Sequence, residues 1–152
     1  MPGTERIVPV DASNLADAAF VHAKSWKDSH RSFCKPDFVA LHTPQRQREY
    51  ILRKMRDGSK FYLMIDESPV GVVSVNGNLI EDLYVLPEMQ RKGYGTMLFR
   101  FAASQCNGTP TLWILENNTG AERLYCRIGF CRTGNVHAEK GGLNEIEFAW
   151  IR

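Results

Sequence analysis

Pro87-Glu88-Met89-Gln90-Arg91-Lys92-Gly93-Tyr94-Gly95-Thr96 joins a β-forming run, residues 79–86, to an amphipathic stretch, residues 93–107. A strand that passes through a glycine-containing loop into a helix start is an anion site on physical grounds. The first amides of a helix have no intrahelical acceptor, and the helix dipole favours negative charge there. Gly93 and Gly95 carry no side chain to hold a phosphate away, and Arg91 and Lys92 bring positive charge. The string is not a nucleotide P-loop, which requires G-x-x-x-x-G-K-[ST]. Nor is it a dinucleotide fingerprint, whose third glycine would fall at Leu98 and which should follow the first strand.

Upstream, residues 61–65, 70–75 and 79–86 are β-rich runs separated by Asp66-Glu67-Ser68-Pro69 and Asn76-Gly77-Asn78. Asn-Gly between such runs is a hairpin signal, so an antiparallel meander is predicted. Residues 6–10 read as a short strand, placed at a sheet edge by Pro9. Asp11 or Ser13 can cap a helix whose stripe runs Leu15, Ala18, Ala19, His22, Trp26. Residues 45–55 are rich in helix formers and end at Asp57-Gly58, whereas residues 27–44 have no clear pattern.

Downstream, Tyr94, Met97, Leu98, Phe101 and Ala102 share one helix face, with Gly108 as its stop. Thr111-Leu112-Trp113-Ile114-Leu115 is a continuous apolar run, as expected of a strand buried on both faces. A helix is predicted over residues 119–128, with Ala121, Leu124, Tyr125 and Ile128 inward and Gly129 ending it. Residues 145–151 alternate enough to be a last strand. The fold class is therefore α/β, or α+β, with a mixed sheet flanked by helices: an antiparallel meander, then strand–helix–strand–helix–strand.

The chain has 152 residues, one domain's worth, and no repeat or linker divides residues 1–152. At 43% hydrophobic and 24% charged it is composed like an ordinary globular protein, not a disordered one. A net charge of +2 is not the footprint of a dedicated nucleic-acid binder, so no nucleic-acid partner is expected. No apolar run is long enough to span a bilayer, and the N-terminus lacks the apolar core of a secretion signal, so neither a membrane partner nor export is expected. Cys34, Cys106, Cys126 and Cys131 form no C-x-x-C pair; reduced thiols, a cytoplasmic location and no metal site are expected.

The longer string Leu83-Tyr84-Val85-x-Pro87-x-x-Gln90-x-x-Gly93-x-Gly95 resembles motif A of the GNAT superfamily, the Gcn5-related N-acetyltransferases. Asn118-x-x-Ala121-x-x-Leu124-Tyr125-x-x-x-Gly129-Phe130 is similar to that superfamily's second signature. With the element order, the resemblance covers residues 5–151 and is weakest over 27–60. It implies the GNAT fold and acetyl-CoA as acetyl donor. By that resemblance Leu83, Tyr84 and Val85 lie on a strand that splays from its neighbour and pairs with the pantetheine arm. Gln90, Arg91, Lys92, Gly93, Tyr94, Gly95 and Thr96 would cradle the pyrophosphate. Asn118 would bond the pantetheine, or cap its helix, or both.

The resemblance also implies that Tyr125 is the general acid that protonates the leaving thiolate, a role open to a phenol of reference pKa about 10. Read from periodicity alone, Tyr125 is a core tyrosine. Cys126 is the next residue round the helix and should point elsewhere. The reaction would be direct attack of an amine on the thioester. At pH 7 deprotonating a lysine-like amine costs about 4.6 kcal/mol, and an α-amine about 1.4 kcal/mol. Glu81 matches a position where relatives place a base; two-residue alternation puts it on the face of Leu83 and Val85, with Asp82 opposite. A solvated carboxylate is the plainer alternative.

Acceptor contacts are expected from Trp26, His30 and Phe33, with residues 137–142 as a loop over the mouth. Two other functions fit the same motifs: a catalytically inactive acyl-CoA-binding module, and a toxin that acetylates aminoacyl-tRNA. The acceptor is expected to be the primary amine of a small molecule or of a peptide or protein. The resemblance leaves room for a homodimer, since dimers are common among relatives, and the sequence itself does not show the oligomeric state.

Overall fold

The computed structural model describes residues 5–32, 34–138 and 143–150. Seven strands form one sheet in the order β1-β2-β3-β4-β5-β7-β6. Their bounds are β1 Arg6–Pro9, β2 Lys60–Asp66, β3 Ser68–Asn76, β4 Leu79–Val85, β5 Thr111–Leu115, β6 Phe130–Ala138 and β7 Asn144–Trp150. The helices are α1 Leu15–His30, α2 Pro36–Ala40, α3 Pro44–Arg56, α4 Tyr94–Gln105 and α5 Thr119–Ile128, with a 3-10 turn at Pro87–Met89. Every described strand pair is antiparallel except β4–β5.

The valine-rich β3 is buried along nearly its whole length, because its two faces serve two cores. Val73, Val75, Val85, Leu98, Phe99, Tyr125 and Phe148 pack between the sheet and the α4–α5 layer. Val21, Ile51, Phe61, Leu63 and Val72 fill the opposite face beneath α1 and α3. Gly71 is where α4 comes closest: a Cβ there would stand 2.5 Å from Leu98 Cδ1 and 3.1 Å from the Tyr84 carbonyl.

Several sequence expectations are corrected. The residue before α1 is Asn14, not Asp11 or Ser13, and it does not cap with its side chain. Its Oδ1 accepts from the Asp11 amide at 2.8 Å, and Asp11 in turn accepts from Ser13, so these polar residues build the turn before the helix. Residues 27–44 hold the end of α1 and the short α2. β5 is not buried on both faces; only Leu112 is, because β4 leaves its side after one residue pair. β6 is a strand the sequence hid: only Phe130 is buried, and a register shift between Arg132 and Val136 breaks any alternation. His137 and Ala138 pair with Glu145 and Asn144 rather than forming a loop, and residues 139–142 lie outside the described ones.

Candidate active site

β4 and β5 pair at Leu79 and Thr111 only. Beyond that point they part, so Leu83, Tyr84 and Val85 are bonded to β3 on one edge and open toward β5 on the other. At the end of β4, Gln90 Nε2 donates to the Val85 carbonyl at 3.0 Å and ties the following loop to the strand.

That loop has an unusual backbone. Arg91 has φ 64° and Gly93, which precedes α4, has φ 90°. A Cβ on Gly93 would meet nothing within 4 Å, so glycine is needed there for conformation, not space. The first bond into α4 runs from the Met97 amide to the Gly93 carbonyl. Among the described residues the amides of 91–96 find no acceptor, and Arg91 and Lys92 are exposed beside them. Open amides at a helix start fit the phosphates of coenzyme A. Tyr94 turns the other way, with its ring in the core and its hydroxyl donating to Asp66.

Asn118 caps α5: its Oδ1 accepts from the Ala121 amide at 3.1 Å. Two turns beyond Asn118, Tyr125 is buried, with its ring 6.4 Å from Phe99 and 5.8 Å from Phe130. Burial and then the charge of Asp82 push its phenol up to about 12. Its hydroxyl has no hydrogen-bond partner among the described residues. Protonated at neutral pH and uncommitted, it is in the state a proton donor requires. Cys126 beside it is exposed and unpaired with another cysteine.

β4 departs from simple alternation. Ile80 pairs with Val75 and Asp82 with Ser74, so Glu81 is the extra residue of a β-bulge. The predicted placement of Glu81 with Leu83 and Val85 is therefore wrong. Its carboxylate bonds Lys54 of α3 and Ser59 Oγ, on the side where Asp82 also points. Asp82, which sequence reasoning passed over, is 6% exposed. It accepts from Ser74 Oγ at 2.8 Å and from the Tyr50 hydroxyl at 3.2 Å, and lies 3.0 Å from His22 Nε2. Gln47 engages the other ring nitrogen of His22 at 2.9 Å. Burial works to raise the Asp82 pKa, but the bond and charge from His22, with Ser74, hold it below the usual carboxylate range. A buried His near an alternating strand was the available signal, but its partner stands 60 residues away.

Above Asp82 a cleft of about 710 Å³ opens between α1, α3 and residues 40–43. Trp26 lines it, stacked between His30 at 4.0 Å and His42 at 3.5 Å. His30 is buried behind Trp26 rather than on the cleft wall, and burial lowers its pKa to about 4. Phe33 lies outside the described residues. Of the β4 residues Asp82 reaches the cleft wall, while Leu83, Tyr84 and Val85 form the edge that opens toward β5.

A family model for acetyltransferase (GNAT) domains matches residues 26–150. No curated protein matches the chain. Among solved structures, the fold is similar to a PaiA N-acetyltransferase of Thermoplasma acidophilum in complex with coenzyme A, at 17% identity and TM-score 0.69 over 94% of this chain and 97% of that one. It is similar to a GNAT-family acetyltransferase of Bacillus cereus at 21% identity and TM-score 0.69, covering 99% and 100%. An acetyltransferase of Thermus thermophilus matches at 15% identity and TM-score 0.73, covering 96% and 97%. The family match and the seven-stranded fold that accompanies it make this chain a member of the GNAT acetyltransferase family.

Proposed function

We propose that the protein transfers the acetyl group of acetyl-CoA directly to a primary amine. The observation that carries this reading is the opening between β4 and β5, with the unpaired amides of residues 91–96 at its end. These amides, with Arg91 and Lys92, hold the donor's phosphates, and the free edge of Leu83, Tyr84 and Val85 pairs with its pantetheine arm. Asn118 adds a hydrogen bond to that arm while capping α5. Acetyl-CoA supplies the activated thioester.

Tyr125 Oη gives its proton to the departing sulfur as the C–N bond forms and the C–S bond breaks. The proton lost by the amine passes to Glu81, directly or through water, and returns by solvent to Tyr125. Lys54 and Ser59 take two of the roughly four lone-pair sites on the Glu81 carboxylate, which leaves room for this proton. The acceptor enters from the cleft beside Trp26, reaching β4 from the face opposite the donor loop.

The test is free-thiol release from acetyl-CoA across a panel of amines, with a no-acceptor control. Acceptor-dependent release is the expected result. Silence across the panel with no rise in melting temperature on adding acetyl-CoA would overturn the reading.

A further inference from the structure

The cleft carries opposite charges at its two ends. At its floor lies the buried carboxylate of Asp82, bridged to the opening by the half-buried Tyr50 hydroxyl. On its rim lie Arg46 and Arg53, both exposed, with Glu49 between them on the same helix. Among the described residues neither guanidinium is in an ion pair. Arg53 instead lies over the Tyr50 ring, 5.6 Å from its centroid. Helix α3 as a whole is basic: it holds Arg46, Arg48, Arg53, Lys54 and Arg56 against Glu49 alone. Lys54 is the one committed, to Glu81.

Resting on the acetyl-transfer reading above, we infer that the acceptor is the α-amine of a peptide segment that carries a carboxylate close behind it. The ammonium end meets the Asp82–Tyr50 floor, and the carboxylate meets the guanidinium forks of Arg46 and Arg53. Forks of this shape match carboxylates in two-point contact. A cleft of about 710 Å³ has room for two or three residues, with Trp26 and Tyr50 as apolar walls. A polycation such as a polyamine would set its second charge against the arginines and be repelled.

The proton chemistry points the same way. Asp82 is held below the usual carboxylate range, and burial pushes His42 down as well, so these two groups on the cleft are weak proton acceptors. An α-amine of pKa about 8 is already neutral in roughly one molecule in ten at pH 7, whereas a lysine side chain near 10.4 is neutral in about one in 2,500. The cleft suits the amine that needs little help.

The test compares kcat/KM for C-terminally amidated peptides that differ only in Glu or Gln at the second residue, alongside a dipeptide with a free carboxyl end, its amide, and spermidine. Mass spectrometry places the acetyl group. The expected result is acetylation at the α-nitrogen with an acidic preference of about five- to tenfold, lost toward a ratio of one in R46Q/R53Q. Preference in the amidated pair marks a longer N-terminus as the source of the carboxylate; preference confined to the dipeptide pair marks the chain end. Equal use of Glu and Gln peptides together with equal use of the dipeptide and its amide, better use of spermidine, or an unaltered ratio in R46Q/R53Q overturns the inference. Silence with every acceptor while acetyl-CoA still raises the melting temperature overturns the acceptor assignment alone; silence without that rise removes the acetyl-transfer reading beneath it.

Discussion

The two faces of β4 are built by different means. On the α4 side the candidate donor site is mostly backbone: open amides at residues 91–96 and a free strand edge at Leu83, Tyr84 and Val85. On the α1–α3 side the cleft is made of side chains, with Asp82 held by His22, Tyr50 and Ser74. A backbone site depends on loop conformation and tolerates many side-chain changes; a side-chain site can be re-specified by single substitutions.

The largest effect is expected at the junction of the two halves. Tyr125→Phe removes the proton proposed for the departing sulfur and nothing from the packing of the ring. Turnover should fall by about 10²–10⁴-fold at saturating acetyl-CoA, followed by thiol release, with donor affinity kept. Unaltered turnover would leave the two faces without a shared acid.

Next in size is Asp82→Asn. It removes a buried anion from three donors and turns one acceptor atom into a donor, so urea unfolding should show a loss of about 3–5 kcal/mol. Because Asp82 also raises the phenol of Tyr125, that phenol should titrate below its native value of about 12 in the variant. A stable variant with an unmoved phenol would separate the two faces after all.

His30 gives the cleft half a pH dependence of its own. Burial lowers its folded pKa to about 4 from the ordinary 6.5, so the unfolded chain binds the proton first as pH falls. Its contribution is complete above pH 6.5 and is lost as pH falls through about 4, on the order of 3 kcal/mol. Asp82, lowered from 3.8, adds a further loss below that value. Melting temperature against pH should therefore slope between 6.5 and 4 in the wild type and less steeply in His30→Gln, where His42, also lowered by burial, keeps part of the slope.

The smallest effect belongs to the donor half. Asn118→Ala removes the cap on α5 and should cost about 1 kcal/mol of stability. A rise in the KM for acetyl-CoA on top of that would assign Asn118 its second bond; a pure stability change would leave it a cap.

How much was legible follows the same division. The donor half rests on short-range features: Gln90 reaches Val85 five residues back, and Asn118 caps three residues on. Local strings carry such contacts, so the meander, α4, α5 and the glycine loop could be read directly. The cleft half joins Asp82 to Tyr50 and His22 across 32 and 60 residues. No local pattern encodes those pairs. The bulge at Glu81 defeated alternation outright, because one inserted residue sends two successive carboxylates to the same side. β6 escaped notice for a related reason: an exposed edge strand with a broken register has no buried face to leave an apolar period.

One side of β4 is proposed to hold the donor through backbone amides. Amide chemical-shift mapping of the ¹⁵N-labelled protein during titration with acetyl-CoA tests it most directly. The largest shifts are expected at residues 91–96 and at Leu83, Tyr84 and Val85, with smaller ones along α3. Shifts centred on α3 and residues 40–43, or none at saturating acetyl-CoA, would contradict it.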